Sequence, residues 1–212
     1  MNKKRFILGS GGHASVLADI LFQQQKAIEG IAGPAEKSFR KALENLTCYQ
    51  DSDLLSLKPE DILLINGIGS IPGNSLRFDL YKKFKELGYS FESVIAPNAI
   101  VSPFAILGSG VQIMQGAIIQ AGAIIGDNTI INSGAIVEHD CIIGCNNHLA
   151  PGVILSGQVE SKNNVHFGTG ASVIQSIQIG NNSVIGAGAT ITKNVDDNEI
   201  IFPAKVTKKA LK

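Results

Sequence analysis

Charge is scarce in this chain, and what there is balances to zero: 18 Lys and Arg stand against 18 Asp and Glu in 212 residues. The longest basic run is Lys3-Lys4-Arg5, so the electrostatic footprint of a nucleic-acid binder is missing. No apolar stretch reaches the length of a bilayer span, and the N-terminus lacks the long apolar core of a secretory signal. These absences predict a cytoplasmic protein with no membrane insertion. Cysteine is also sparse. Cys48, Cys141 and Cys145 cannot all pair within one chain and lack zinc-ligand spacing, so they read as reduced thiols. No metal cluster is apparent, and no metal is expected.

Against that background one pattern dominates. From Val94 to Val195 the chain divides into seventeen six-residue units, among them IIQAGA, IVEHDC, HLAPGV and VIGAGA. The second position of each unit is Ile, Val, Leu or Phe, except at Ser161. The sixth is mostly small, with Cys141 among its occupants, and Gly, Asn or Asp crowds the middle. A period of six fits neither a helix nor a simple amphipathic strand. It fits a short strand and a tight turn, repeated, with one large side chain per unit entering a shared core. Three units make one coil of 18 residues, so the run predicts five to six coils of parallel β-helix.

The first 93 residues read as a separate α/β domain, with 94–212 forming the β-helix and its tail. Phe6-Ile7-Leu8 is a short buried strand leading into Gly9-Ser10-Gly11-Gly12-His13. A helix from about Ala14 to Gln25 follows, with Val16, Leu17, Ile20 and Leu21 on one face. Strand, glycine turn and helix form a phosphate-binding arrangement, because the backbone approaches an anion closely and the helix N-terminus offers free N–H groups. His13 either touches a ligand or caps the helix start. Fewer than a hundred residues precede the repeat, too few for a full dinucleotide fold. Strands near Ile28–Ala32 and Asp61–Asn66 complete a small parallel sheet, and a second glycine turn, Gly67-Ile68-Gly69-Ser70, lies at the same carboxyl edge. The helix from about Asn74 to Leu87 turns Leu76, Leu80, Phe84 and Leu87 inward. Arg77 in its first turn opposes the helix dipole, which favours a phosphate or substrate role for it.

Six charges fall within the repeat, and two flank a histidine in Val137-Glu138-His139-Asp140-Cys141. A histidine beside a carboxylate is apparatus for general-base work near neutral pH. In hexad register Val137 points inward, so His139 and Asp140 face outward from a turn. His148 and His166 are 18 residues apart and should stack one coil above the other. His148 lies half a coil from His139, roughly 15 Å away at ~3.3 Å per residue. The two can cooperate only across a contact between subunits of a cyclic oligomer.

The uninterrupted hexapeptides, the Glu-His-Asp turn, the later histidine, Gly186-Ala187-Gly188-Ala189-Thr190 and Pro203-Ala204-Lys205 resemble the hexapeptide acyltransferases. With the preceding Gly-Ser-Gly-Gly-His-Ala turn, the resemblance narrows to nucleotide-sugar N-acetyltransferases typified by PglD, with the NeuD sialic acid O-acetyltransferases as close relatives. It implies a left-handed β-helix, a homotrimer with acetyl-CoA between subunits, and a nucleotide-linked amino sugar held between the N-terminal domain and the helix. It implies His139 as general base, Asp140 as its orienting acid, Asn132 near the reacting amine and His148 on the thioester side of acetyl-CoA. Gly157, Thr169 and Ala187 would line the coenzyme path, and Gly9, Gly11, Gly12, His13, Gly67, Gly69 and Arg77 would hold the nucleotide. The product would feed a surface glycan or a glycoprotein. Two positions depart from the family. Ala32-Gly33-Pro34-Ala35 replaces an acidic pair, and Ala96 replaces a histidine before Pro97, so the base is open among UDP, GDP and CMP. O-acetylation of a sialic-type sugar is the alternative enzyme reading, and a non-catalytic assembly subunit the alternative from another class.

Overall fold

The computed structural model describes residues 3–33 and 40–203. Pro34, Ala35, Ala204 and Lys205, which the sequence patterns draw on, lie outside them. A small parallel sheet comes first, with β1 (Lys4–Leu8), β2 (Gly30–Ala32), β3 (Thr47–Tyr49) and β4 (Ile62–Asn66) in the order β3-β2-β1-β4. Alternation along the strands sends side chains to opposite sides. Ile7, Ile31 and Ile65 pack on helix α1 (Gly12–Gln23), which itself rests on Val94, Ala96, Met114 and Ile130 of the repeat. Phe6, Leu8 and Leu64 face the other way, toward Tyr81 and Phe84 of a second long helix.

Three details differ from the sequence-based expectation. The first helix starts two residues earlier, and Val16 is 39% exposed while Ala14, Leu17, Ala18, Ile20 and Leu21 form the buried stripe. Strand β3 and the one-turn helix α2 (Asp51–Leu55) carry no pattern long enough to predict. Helix α3 (Leu76–Glu86) turns Arg77, Tyr81 and Phe84 inward and leaves Leu76 and Leu87 about half exposed. The reason is its neighbour. The repeat presents Gln112, Asn128 and Asp127 to this helix, so the part of its inner side that meets the repeat is polar: Arg77 bonds Gln112 and the Asn128 carbonyl, and the Tyr81 hydroxyl donates to Asp127 at 3.0 Å.

The repeat winds into a left-handed parallel β-helix of triangular section, outside the right-handed crossover preference. Its three faces carry seven, six and five strands, and every pairing along them joins residues 18 apart until the last coil. The first face holds Val94, Gln112, Ile130, His148, His166 and Val184 at its outward positions and is covered at its lower end by α1. The second runs through Ile100, Ile118, Ile136 and Ile154, the third through Ile106, Ile124 and Ile142. From Gly110 to Gly188 the fifth position of every unit is left-handed, which is why Gly, Asn and Asp crowd there. Ser161, the polar exception in the core row, accepts from the Asn147 amide at 2.8 Å, so two buried polar groups satisfy each other.

Candidate active site

At the carboxyl edge of the small sheet the two glycine turns meet, as the sequence predicts. Their glycines do different work. A Cβ on Gly67 would stand 2.6 Å from the Leu8 carbonyl, and one on Gly9 would stand 2.7 Å from the Ile68 side chain, so these two permit close chain approach. Gly11 faces open space, and no side chain caps α1 at that residue. The first N–H groups of α1 therefore remain available to an anion. Gly12 and Gly69 are also exposed, the latter beside His13.

Beneath these turns lies a polar joint that the sequence analysis did not find. Gln112 donates to the Asn66 carbonyl at 2.8 Å, which leaves its Oε1 to accept from His13 Nε2 at 2.7 Å. His13 is therefore neutral with its proton on Nε2, and burial followed by the nearby Arg77 charge lowers its pKa to about 4. Arg77 donates to the carbonyls of Asn66, Ile68 and Asn128 and to Gln112 Oε1. Burial alone lowers its pKa to about 9. Both cationic candidates are thus engaged in fastening the glycine turns to the β-helix. One signal was present in the sequence: Gln112 stands where most units of the lower coils begin with an aliphatic residue.

One coil above the joint, Asn132 and His148 come together. The Asn132 side-chain oxygen accepts from the Ser133 N–H at 2.8 Å, so its amide nitrogen faces His148 Nε2 at 3.2 Å. That nitrogen can only donate. Hence Nε2 of His148 accepts and its proton sits on Nδ1, which is buried without a hydrogen-bond partner. Burial first, then His166, His13 and Arg77, push the His148 pKa down to about 3, against a weak opposing effect of the Ser70 backbone. The ring is neutral and packed against the Ser70 backbone. His166 stacks on it edge to face at 4.9 Å, as the 18-residue spacing predicts.

His139 and Asp140 occupy the corner between the second and third faces, opposite the face that carries His148. Asp140 is one of the left-handed residues (φ 59°), and this turns its carboxylate back to accept from His139 Nδ1 at 2.9 Å. Both side chains are 60% exposed. Nε2 of His139 is left as the free, basic nitrogen. Gly157 lies one coil above on the same corner, whereas Thr169 and Ala187 are exposed on the corner following the first face. One chain therefore carries its two histidine groups on opposite sides of the prism. Cys141 is buried beside this pair, where burial raises its thiol to about 11, so it packs rather than reacts.

A cleft of about 410 Å³ opens on the first face, away from His139. Its walls are the Ser70–Phe78 segment on one side and His166, Val184 and an asparagine column (Asn128, Asn146, Asn164, Asn182) on the other. No helix among the described residues is long and apolar enough to cross a membrane.

The bacterial transferase hexapeptide (six repeats) family matches residues 162–193. No curated protein matches by sequence. Among solved structures, the acetyltransferase domain of PglB from Neisseria gonorrhoeae is similar at 30% identity and a TM-score of 0.85, over 94% of this chain and 96% of its own. The same domain has been solved in complex with acetyl coenzyme A. PerB from Caulobacter crescentus, in complex with CoA and GDP-perosamine, is similar at 33% identity and a TM-score of 0.83, over 98% of this chain and 99% of its own.

Proposed function

Because the chain belongs to the nucleotide-sugar acetyltransferases of the hexapeptide-repeat, left-handed β-helix superfamily, we propose that it moves the acetyl group of acetyl-CoA onto the amino group of a nucleotide-linked amino sugar. The observation that carries this reading is the His139–Asp140 pair, with Nδ1 held by the carboxylate and Nε2 free. An amine on a sugar is largely protonated at neutral pH and attacks only after losing that proton. In the proposed step the ammonium first releases one proton to solvent, and Nε2 of His139 then takes a second proton from the neutral amine as the nitrogen lone pair attacks the thioester carbonyl carbon. Asp140 stabilises the imidazolium. The tetrahedral intermediate then collapses with loss of the C–S bond, and the imidazolium returns its proton to the departing CoA thiolate. No acyl-enzyme is required.

His148, neutral with Nε2 on the Asn132 amide, would stand on the thioester side of acetyl-CoA at the other half-site. Asn132, which fixes the tautomer of that ring, stands next to the reacting amine in this scheme. The N–H groups at the start of α1 take the diphosphate. For His139 and His148 to act on one substrate, a second copy must bring its corner to the first face of a cyclic assembly, and a homotrimer is the assembly that the family resemblance implies. Isoleucines that flank the His139 corner support the contact: Ile124, Ile142 and Ile154 are 39%, 46% and 41% exposed, an apolar surface that association would cover.

The test is thiol release from acetyl-CoA with UDP-, GDP- and CMP-linked sugars, amino and hydroxyl forms side by side. Release with an amino-sugar nucleotide, lowered about 10²–10⁴-fold in His139→Ala, is the expected result. Release only with a sialic-type hydroxyl acceptor would make the protein an O-acetyltransferase. Silence across the panel, or full turnover in His139→Ala, would refute the assignment.

A further inference from the structure

The glycines of the β-helix are not alike in what surrounds them. At Gly126, Gly144, Gly168 and Gly180 an added Cβ would run into backbone atoms of the next coil at 2.4–2.6 Å, so the winding itself demands glycine there. Gly157 differs. A Cβ on Gly157 would stand 2.6 Å from Nε2, 2.7 Å from Cε1 and 3.2 Å from Cδ2 of His139, and no backbone atom is among its three nearest neighbours.

Nor does the corner itself call for glycine at 157. Its column, at intervals of 18 residues, reads Pro103, Ala121, His139, Gly157, Gln175, with Lys193 above. All but one position carry a side chain, and the bare one lies directly over the imidazole. Gly157 has no left-handed φ, so its backbone accepts any L residue. What the missing Cβ leaves is room, and the atom nearest that room is Nε2, the nitrogen that takes the proton.

We propose that Gly157 is a positioning residue for His139, a seat whose missing Cβ makes room for the imidazole edge that carries Nε2 while Nδ1 stays on Asp140. This assignment rests on the acetyl-transfer reading for its catalytic consequence but not for its geometry. An alanine there keeps every backbone group that a coenzyme would touch, including the carbonyl that accepts from the Ser176 N–H. It removes only the seat. Because His139 is 60% exposed, the displaced ring has solvent to swing into, and the fold loses little.

The test compares the parent with Gly157→Ala in two measurements. The chain has four histidines, so ¹⁵N-histidine NMR at mildly alkaline pH resolves each ring, with His139→Ala identifying the relevant pair of nitrogens. The parent should show His139 protonated at Nδ1 against Asp140. Gly157→Ala should lose that signature and revert toward the Nε2–H form that free imidazole prefers, with an unchanged melting temperature. In acetyl transfer, kcat should fall about 10²-fold, as for a reacting group displaced by about 1 Å, with KM for acetyl-CoA within about threefold of the parent. Identical His139 resonances in the two proteins would overturn the proposal whatever the turnover. So would a raised KM for acetyl-CoA with kcat intact, which belongs to a coenzyme contact. A changed tautomer in a protein that transfers no acetyl group would uphold the seat while refuting the acetyl-transfer reading, so the two ideas fail separately.

Discussion

Acid should loosen this protein at its joint before it reaches the core. His13 and His148 have folded-state pKa values of about 4 and about 3, depressed mainly by burial, whereas an unfolded histidine titrates near ~6.5. Depressed values fix the sign. The unfolded chain binds protons that the folded chain refuses, so the stabilisation is complete above about pH 6.5 and fades as pH falls toward 4. Between pH 7 and pH 5 both rings become charged in the unfolded chain and stay neutral in the folded one. Linkage then removes about 2 kcal/mol per ring, about 4 kcal/mol for the pair. The result hardly depends on the folded values, because both lie below pH 5. His13 is partly exposed, so screening by solvent makes its share the more generous of the two. Urea unfolding at pH 7 and pH 5, at one fixed protein concentration, gives the loss for the parent and for a His13→Gln, His148→Gln double variant. Carboxylates titrate in both proteins, so the difference of differences isolates the two rings. If the double variant loses as much stability as the parent across that interval, the rings are not buried neutral and the tautomer argument for His148 falls with them.

Two further outcomes follow from the same geometry. Co-refolding inactive His139→Ala with inactive His148→Ala in equal amounts should restore about a quarter of the parent turnover, since a randomly mixed cyclic assembly pairs one intact corner with one intact first face in about that fraction of its sites. No recovery at all would place both histidines of a site in one chain. Arg77→Met should lower unfolding free energy by about 3–5 kcal/mol, because it strips donors from the carbonyls of Asn66, Ile68 and Asn128 at once; a change below about 1 kcal/mol in urea titration would show that the joint does not depend on it.

How much of this was readable beforehand depends on the kind of residue. The β-helix was legible almost residue by residue, because a six-residue period places position two inward and positions four and five on corners. The His139–Asp140 pair and the stack of His148 on His166 follow from counting alone. The inner side of α3 did not, because the Leu periodicity pointed to a conventional apolar stripe. The helix packs instead against Gln112, Asn128 and Asp127, which lie more than 30 residues away in sequence. Arg77 had the same fate. Its place in the first turn, against the dipole, is unusual enough to notice, but only the fold shows that carbonyls of the joint occupy its guanidinium. Gly157 was hidden for a different reason. In a chain with 23 glycines nothing local separates one that relieves a turn from one that makes room for a neighbour 18 residues away.

The coil length also constrains how such a chain can change. Residue number modulo 18 is an address on the prism, and each strand pairing confirms the same address one coil on. Loss of a single residue after Asp140 would shift every later side chain to a neighbouring address, turning the row at Leu149, Leu155 and Phe167 out of the core and breaking the run of left-handed corners. Loss of eighteen would leave all addresses intact and shorten the prism by one strand spacing, about 4.8 Å. Gene-level length variation in this part of the chain should therefore come in whole coils. Single insertions should be tolerated only where a loop can bulge from a corner, and the corner bearing His139 is the one place where such a bulge would separate the base from its seat.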